Sequence, residues 1–229
     1  MKTKLTSRKH NAPPQKAPRR IMIVDDHPVM RDGLAQLLSQ EEDLMICGQF
    51  EDAATAFEAL AQLQPDIVLI DLSLKGSNGL ELIKSIKAHY PRTLMLVLSM
   101  YDESLYAERV LRAGAAGYIM KQEATEKVLG ALRQVLNGGI YLSEKMNARL
   151  MHQLVGGRPP AGGSLMERLS DRELEVFGLI GQGRGTRDIA QQLHLSVKTI
   201  ESHRAHIKEK LSLRNATELV HRAIQMRAE

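Results

Sequence analysis

Tryptophan is absent from this 229-residue chain, cysteine occurs once, and aromatic residues make up only 3%. A single cysteine allows no disulfide framework within the chain, which fits a reducing cytoplasm. Cys47 lies in the apolar stretch Leu44-Met45-Ile46-Cys47, where a buried strand thiol is expected rather than a redox or metal role. No apolar run approaches the roughly 20 residues that span a bilayer, so no membrane partner is expected. Residues 1–20 hold seven Lys/Arg and no acid but lack an apolar core. They do not read as a secretory signal, and a disordered basic tail over residues 1–19 is expected. With few aromatics and 43% hydrophobic residues, the cores should be aliphatic, and the length allows two modest domains. The net charge of +4 is uneven: acids outnumber bases seventeen to ten over residues 21–137, and bases outnumber acids fourteen to ten over residues 138–229. An acidic middle and a basic end suggest different partners for the two halves.

What the first half does have is short Val/Ile/Leu-rich runs that end on polar residues. Ile21-Met22-Ile23-Val24 ends on Asp25-Asp26, and Ile67-Val68-Leu69-Ile70 on Asp71. Leu94–Leu98 ends on Ser99, and Tyr118-Ile119-Met120 on Lys121. Such runs, separated by helical stretches, read as parallel strands buried on both faces. Helical patterns cover Pro28–Ser39 (Val29, Leu34, Leu37 and Leu38 on one side), Asp52–Gln62, Ser77–His89, Ser104–Arg112 ahead of Gly114, and Ala124–Leu136. With Leu44–Phe50 as another strand, the pattern is β-α repeated five times. It predicts an α/β doubly wound five-stranded parallel sheet with helices on both faces. In the flavodoxin-like order 2-1-3-4-5, strands 1 and 3 flank the crevice at the carboxyl ends of the strands, where ligands bind.

Three carboxylates, a hydroxyl and an amine would converge in that crevice. Mg²⁺ prefers oxygen ligands and retains waters, so two or so carboxylates plus a phosphate suit it. Crowded carboxylates resist ionisation until a cation or Lys⁺ is near, and Lys121 is such a cation. Phosphoryl transfer needs positioning and charge neutralisation, and a carboxylate can serve as its nucleophile. One Asp at a strand end could simply cap the next helix; five suitable residues at four strand ends argue for a site. A flavin or dinucleotide site fits poorly. No strand is followed by G-x-G-x-x-G, and acids line the crevice where phosphates would need amides.

These motifs, over Arg20 to about Gly138, resemble the receiver domain of two-component response regulators. The resemblance implies that Asp71 is the phosphoacceptor, taking its phosphoryl group from a sensor histidine kinase. It implies a Mg²⁺ site of Asp25 (through water), Asp26, Asp71 and the Ser73 carbonyl. Ser99 and Lys121 would hold the phosphate, and Tyr118 would change rotamer as the switch. Ser73 and Tyr101 occupy positions that tune dephosphorylation in the family. The pattern departs at Leu74-Lys75-Gly76, where many receivers have a proline.

The last part of the chain is helical. Ser143–Val155 reads as a helix, and Gly156–Ser164 as a Gly/Pro-rich linker. Ser170-Asp171-Arg172-Glu173 is a capping box, with Leu169 and Leu174 as its staple. The first helix of the group ends in Gly181-Gln182-Gly183, whose glycines mark an inter-helix turn. Thr186–Leu193 is a short second helix, Ser196 caps a third, and Asn215 with Glu218 starts a fourth. At 100° per residue, Val197, Ile200, Ile207 and Leu211 face inward on the third helix, and Lys198, Ser202, Ala205 and Glu209 outward. A small, polar, partly basic outer face suits the major groove. His203 and His206 lack a further ligand cluster, so packing or DNA contact is expected of them.

Leu169–Val176, Asp188-Ile189-Ala190 and Val197–His203 resemble the LuxR-type helix-turn-helix domain, from about Leu165 to Arg227. The resemblance implies base contacts from Glu201, Ser202 and Ala205, and phosphate contacts from Lys198, Thr199, Arg204 and Lys208. Thr186 and His203 complete the expected DNA-binding set. Receiver (20–138), linker (139–164) and small all-α four-helix domain (165–229) together resemble the NarL/FixJ family. That implies a non-enzymatic, cytoplasmic regulator of transcription that dimerises on promoter DNA when phosphorylated. A phosphorelay or protein-interaction module that does not read DNA is the alternative. Hydrolysis of small acyl phosphates is a weaker one, since no residue offers a dedicated general base.

Overall fold

The computed structural model describes residues 17–74, 78–155 and 168–228. The basic tail up to residue 16, the loop residues Lys75, Gly76 and Ser77 (the expected start of the third helix), and the Gly/Pro linker lie outside these. Five strands, β1 (Arg19–Val24), β2 (Leu44–Phe50), β3 (Ile67–Asp71), β4 (Leu94–Ser99) and β5 (Tyr118–Met120), form one sheet. Its order is β2-β1-β3-β4-β5 and every pairing is parallel, as the sequence pattern predicts. Helices α1 (Pro28–Leu38), α2 (Ala53–Leu63), α3 (Gly79–His89), α4 (Glu103–Ala113) and α5 (Ala124–Leu136) connect and follow the strands.

Alternate strand residues face opposite ways, so the sheet makes two aliphatic cores. Ile21, Ile23, Ile67, Leu69, Leu96, Leu98 and Ile119 pack with Leu34 and Leu38 of α1 and Val128, Leu132 and Val135 of α5. Met22, Val24, Val68, Ile70, Met95 and Val97 pack with Leu60 of α2, Ile83 and Ile86 of α3 and Val110 of α4. Both layers hold the carboxyl edge of β1, β3 and β4 rigid, and the candidate site lies there. Gly79 opens α3 against that edge. A Cβ there would lie 2.1 Å from the carbonyl oxygen of Asp71, so only glycine lets α3 start so close to β3.

Three side chains depart from the sequence pattern. Val29 is 87% exposed, because residues five and nine before Leu34 and Leu38 lie about 140° and 180° round the helix from them. Val197 is 41% exposed, being the first residue of its helix with no preceding turn to cover it. Cys47 is only half-buried, since β2 is an edge strand whose register with β1 shifts between Ile46 and Gly48. Its thiol donates to the Ile21 carbonyl at 3.3 Å.

Helix α6 (Glu144–Val155) follows the receiver-like unit. The amide of Ser143, just before it, donates to the buried Glu103 carboxylate at 2.9 Å, tying α6 to the start of α4. The second unit comprises α7 (Asp171–Gly181), α8 (Thr186–Gln192), α9 (Val197–Lys210) and α10 (Ala216–Ala228). The capping box forms as its sequence predicts: Glu173 N donates to Ser170 Oγ at 3.3 Å and Ser170 N to Glu173 Oε2 at 2.7 Å. Leu174, Phe177, Ile180, Ile189, Ile200, Ile207 and Leu219 fill the core of this unit. That core is continuous with the α2–α4 layer through Tyr101 and Tyr106.

Candidate functional site

The carboxyl ends of β1, β3 and β5 deliver Asp25, Asp26, Asp71 and Lys121 to one acidic pocket. Asp25 and Asp71 are almost fully buried, and Ser99 is completely so. Lys121 Nζ lies 2.8 Å from Asp25 Oδ2 and 2.7 Å from Asp71 Oδ2. Asp71 Oδ1 accepts from the Ser73 amide at 3.1 Å, and Asp25 Oδ1 from the His27 amide at 2.9 Å. Burial pushes the Asp71 carboxyl up to about 6; Lys121 opposes this and the Asp25 charge adds to it. Burial disfavours the Lys121 cation, yet Asp71 and Asp25 outweigh burial and raise its pKa.

Asp26 stands at the rim. Its Oδ1 is buried and accepts no hydrogen bond, although His27 Nδ1 lies 2.7 Å away; the contact is close but not aligned. Ligand atoms of Asp25, Asp26, His27 and Asp71 all lie within 4.8 Å of one another. A buried oxygen without a donor, among three carboxylates, suits a hard divalent cation. His27 was not among the sequence candidates. Its only signal is its place between Asp25-Asp26 and Pro28, at the cap of α1.

The remaining receiver candidates sit behind the pocket. Ser99 Oγ accepts from the Tyr101 amide at 3.1 Å. The Tyr118 hydroxyl points inward and donates to the Tyr101 carbonyl at 2.8 Å, and burial raises its pKa. Tyr101 is also buried and stacks on Tyr106 with ring centroids 4.9 Å apart.

The helix-turn-helix frame is a second cluster, remote from the acidic pocket in the chain. Thr186 opens α8, and the turn passes through His194 in the left-handed region (φ 52°). Lys198, Glu201, Ser202 and Ala205 are exposed on α9, and Thr186, Thr199, His203, Arg204 and Lys208 are half-buried. Thr199 serves the cap: its amide donates to Ser196 Oγ at 3.0 Å, and the two hydroxyls lie 2.7 Å apart. Burial, then Arg172, depress the His203 pKa. Lys210 Nζ pairs with Glu173 Oε2 at 2.6 Å, fixing α9 to α7.

A family model described as response regulator receiver domain matches residues 21–133, and one described as bacterial regulatory proteins, luxR family, matches residues 167–223. Oxygen regulatory protein NreC of Staphylococcus carnosus (strain TM300) is 38% identical over 210 residues, covering 90% of this chain and 97% of that protein. The chain belongs to the NarL/FixJ family of response regulators. The regulator is thus a phosphorylation-controlled, DNA-binding regulator of transcription. NreC of Staphylococcus haemolyticus (strain JCSC1435) matches equally, at 38% identity with the same coverage. Among solved structures, RcsB of Salmonella enterica serovar Typhimurium, bound to promoter rprA in the presence of phosphomimetic BeF3⁻, is 31% identical with a TM-score of 0.58. That match covers 89% of the regulator and 97% of the RcsB chain. Another Salmonella typhimurium RcsB structure reaches a TM-score of 0.65 at 28% identity, covering 92% and 99%. Among the described residues no helix is long and apolar enough to cross a membrane.

Proposed function

We propose that Asp71 is the phosphoacceptor of this regulator, charged by a sensor histidine kinase, and that the phosphoryl group sets the affinity of α9 for promoter DNA. The observation that carries this is the convergence of Asp25, Asp26 and Asp71 with Lys121 at the ends of β1, β3 and β5. An Asp71 oxygen bonds to phosphorus while the P–N bond of the donor breaks, and the electron pair leaves with the imidazole nitrogen. Asp25, Asp26, Asp71 and the Ser73 carbonyl would hold Mg²⁺, which supplies charge neutralisation at the phosphoryl oxygens. Lys121, paired with Asp25 and Asp71 in the pocket, also pairs with the arriving oxygens. Ser99 donates its hydroxyl to the phosphate, and Tyr118 moves into the space this vacates.

On the DNA side, Glu201, Ser202 and Ala205 face base edges. Lys198, Thr199, Arg204 and Lys208 serve phosphates, with Thr186 and His203 at the margins of the same face. Two copies read half-sites about one helical turn apart. The chain then divides as tail 1–19 (although its last residue, Arg19, already opens β1), receiver 20–138, linker 139–164 and DNA-binding domain 165–229, in a cytoplasmic protein that spends its phosphoryl chemistry on signalling rather than turnover. The test is to incubate the protein with acetyl phosphate and Mg²⁺, weigh it for one added phosphoryl group, and sequence the duplex fragments it then retains. Asp71→Asn should gain no mass and retain the same fragments with or without the donor. Wild-type protein that is phosphorylated but retains no duplex DNA would leave a phosphorelay or protein-interaction module instead.

A further inference from the structure

Four side chains of the acidic pocket crowd one point closely enough to share a cation, and one of them is not a carboxylate. His27 Nδ1 lies 2.7 Å from Asp26 Oδ1, 3.3 Å from Asp25 Oδ1 and 3.8 Å from Asp71 Oδ2. Around an octahedral ion with bonds near 2.1 Å, neighbouring ligand atoms stand about 3 Å apart and opposite ones about 4.2 Å. The three separations run from just under that edge to within that diagonal. The backbone holds the ring in place. His27 is the N-cap of α1, with extended φ −91° and ψ 106°, yet its side chain makes no capping hydrogen bond. Pro28, which follows it, has no N–H to be capped. The His27 amide donates to Asp25 Oδ1 at 2.9 Å, and its carbonyl accepts from the Arg31 amide at 3.0 Å. One end of the residue is tied to the pocket and the other to the helix, and the imidazole is left beside the acids.

A hydrogen bond to Asp26 would be the ordinary use of such a ring, and it does not form. Asp26 Oδ1 receives no aligned donor and stays buried without one. Lys121 does not serve it either, since its Nζ is taken by Asp25 and Asp71. Asp26 and His27 therefore face each other across a short contact with neither aligned on the other, and a cation between them would satisfy both. The donor atoms decide which cation. Mg²⁺ is hard, prefers oxygen and gives up its waters reluctantly. Imidazole nitrogen suits first-row transition cations, whose affinity for mixed nitrogen and oxygen sites rises from Mn²⁺ towards Cu²⁺. Carboxylates accept either kind, so His27 is the one group of the four that discriminates. Its side chain is 62% exposed, so replacing it leaves the packing of the sheet undisturbed.

We propose that His27 is a further metal ligand, through Nδ1, and that the pocket therefore selects a first-row transition cation such as Mn²⁺ over Mg²⁺. The proposal rests on the metal reading above and adds to it which cation the pocket prefers. Oxygen ligands alone would offer Mg²⁺ and Mn²⁺ the same set; the nitrogen is the differential contact. Mg²⁺ is then the weaker of two occupants, held by the carboxylates with little help from the ring. Among the described residues no other group of three or more acids, histidines or cysteines brings its ligand atoms this close together. His203 and His206 on α9 lack such company, so a metal titration reads the pocket.

The test titrates full-length, untagged wild type, His27→Phe and Asp71→Asn with Mg²⁺ and, separately, with Mn²⁺ at pH 7.5, by calorimetry. His27→Phe should bind Mn²⁺ about tenfold more weakly than wild type, the low end of what losing a partner around a metal costs. Its Mg²⁺ affinity should stay within about twofold, because the oxygen ligands remain. That retained Mg²⁺ binding also shows that the variant is folded. A second measurement reads the bond itself. Mn²⁺-loaded wild type should show the ¹⁴N modulation of a bound imidazole in its electron spin echo, and His27→Phe should show none. A wild-type echo without ¹⁴N, or a ¹⁴N signal that survives in His27→Phe, overturns the ligand. A loss of affinity shared equally by both cations, or by neither, overturns the selectivity. Failure of the metal reading itself looks different, since Asp71→Asn would then bind both cations as wild type does.

Discussion

Asp71 is placed where its own charge is unwelcome, and replacing it with its neutral isostere should make the metal-free protein more stable. Burial lifts its pKa from 3.8 to about 6. A carboxyl whose folded pKa lies above its unfolded value binds more protons folded than unfolded, so stability falls as pH rises through that window. Two units at about 1.4 kcal/mol each put the cost near 3 kcal/mol above about pH 6. Asparagine removes the charge and keeps the shape. It also weakens the bond to Lys121, which retains Asp25 Oδ2 at 2.8 Å, so about 1–1.5 kcal/mol of the gain is returned. Asp71→Asn should therefore stabilise the protein by about 1–2 kcal/mol near pH 7.5, and by much less near pH 4, where the folded carboxyl is protonated and the unfolded one largely shares that state as its ordinary pKa of 3.8 is approached. Urea unfolding in EDTA, followed by far-ultraviolet circular dichroism at both pH values, measures the difference. Saturating Mg²⁺ should reverse the order near pH 7.5, since a ligand stabilises the state that binds it. An asparagine variant less stable than wild type in EDTA, or equally favoured at both pH values, refutes the electrostatic account of the pocket.

Lys121→Met leaves the buried Asp25 and Asp71 without their shared cation, so it should cost about 3 kcal/mol near neutral pH and recover as acid protonates Asp71, in the same urea assay. Gly79→Ala forces a methyl group into the Asp71 carbonyl; α3 must back away, and both the urea midpoint and the rate of phosphorylation by acetyl phosphate should fall. Lys198→Ala should weaken binding to all duplexes alike and lower the slope of log K against log salt by about 1, read by fluorescence anisotropy. Glu201→Gln should leave that slope unchanged and alter which fragments are retained.

The doubly wound sheet is legible because the apolar runs are short, aliphatic and punctuated by helix caps and glycines. Asp71 and Lys121 are fifty residues apart, yet each is the polar terminus of a buried run, and that makes their meeting predictable. The four-helix unit is equally legible from the Ser170–Glu173 box and the inward positions of α9. Side chains governed by helix starts and sheet edges were less so. Val29 and Val197 count as apolar in any pattern, but Val29 points away from the buried side of α1 and no turn covers Val197, and Cys47 loses cover where the register of β2 slips. Contacts between the units left almost no trace. Tyr101, Asp171 and Glu175 look like an ordinary loop tyrosine and two helix acids until the fold brings α7 against α4. His27 was hidden in the same way, since a histidine at a helix cap has many uses.

Helix α7 carries three acids within its first five residues, each committed to a different neighbour. Asp171 is shared by Lys84 and Arg109, Glu173 belongs to Ser170 and Lys210, and Glu175 to Tyr101 and Arg172. Two of the three therefore depend on the receiver for their counter-groups. A chimera that grafts these last sixty or so residues onto another regulator's receiver would inherit those acids whatever the new host offers. Where the host lacks a tyrosine and two bases at the matching places, Asp171 and Glu175 would lose those partners, so the two modules pack together only as a matched pair.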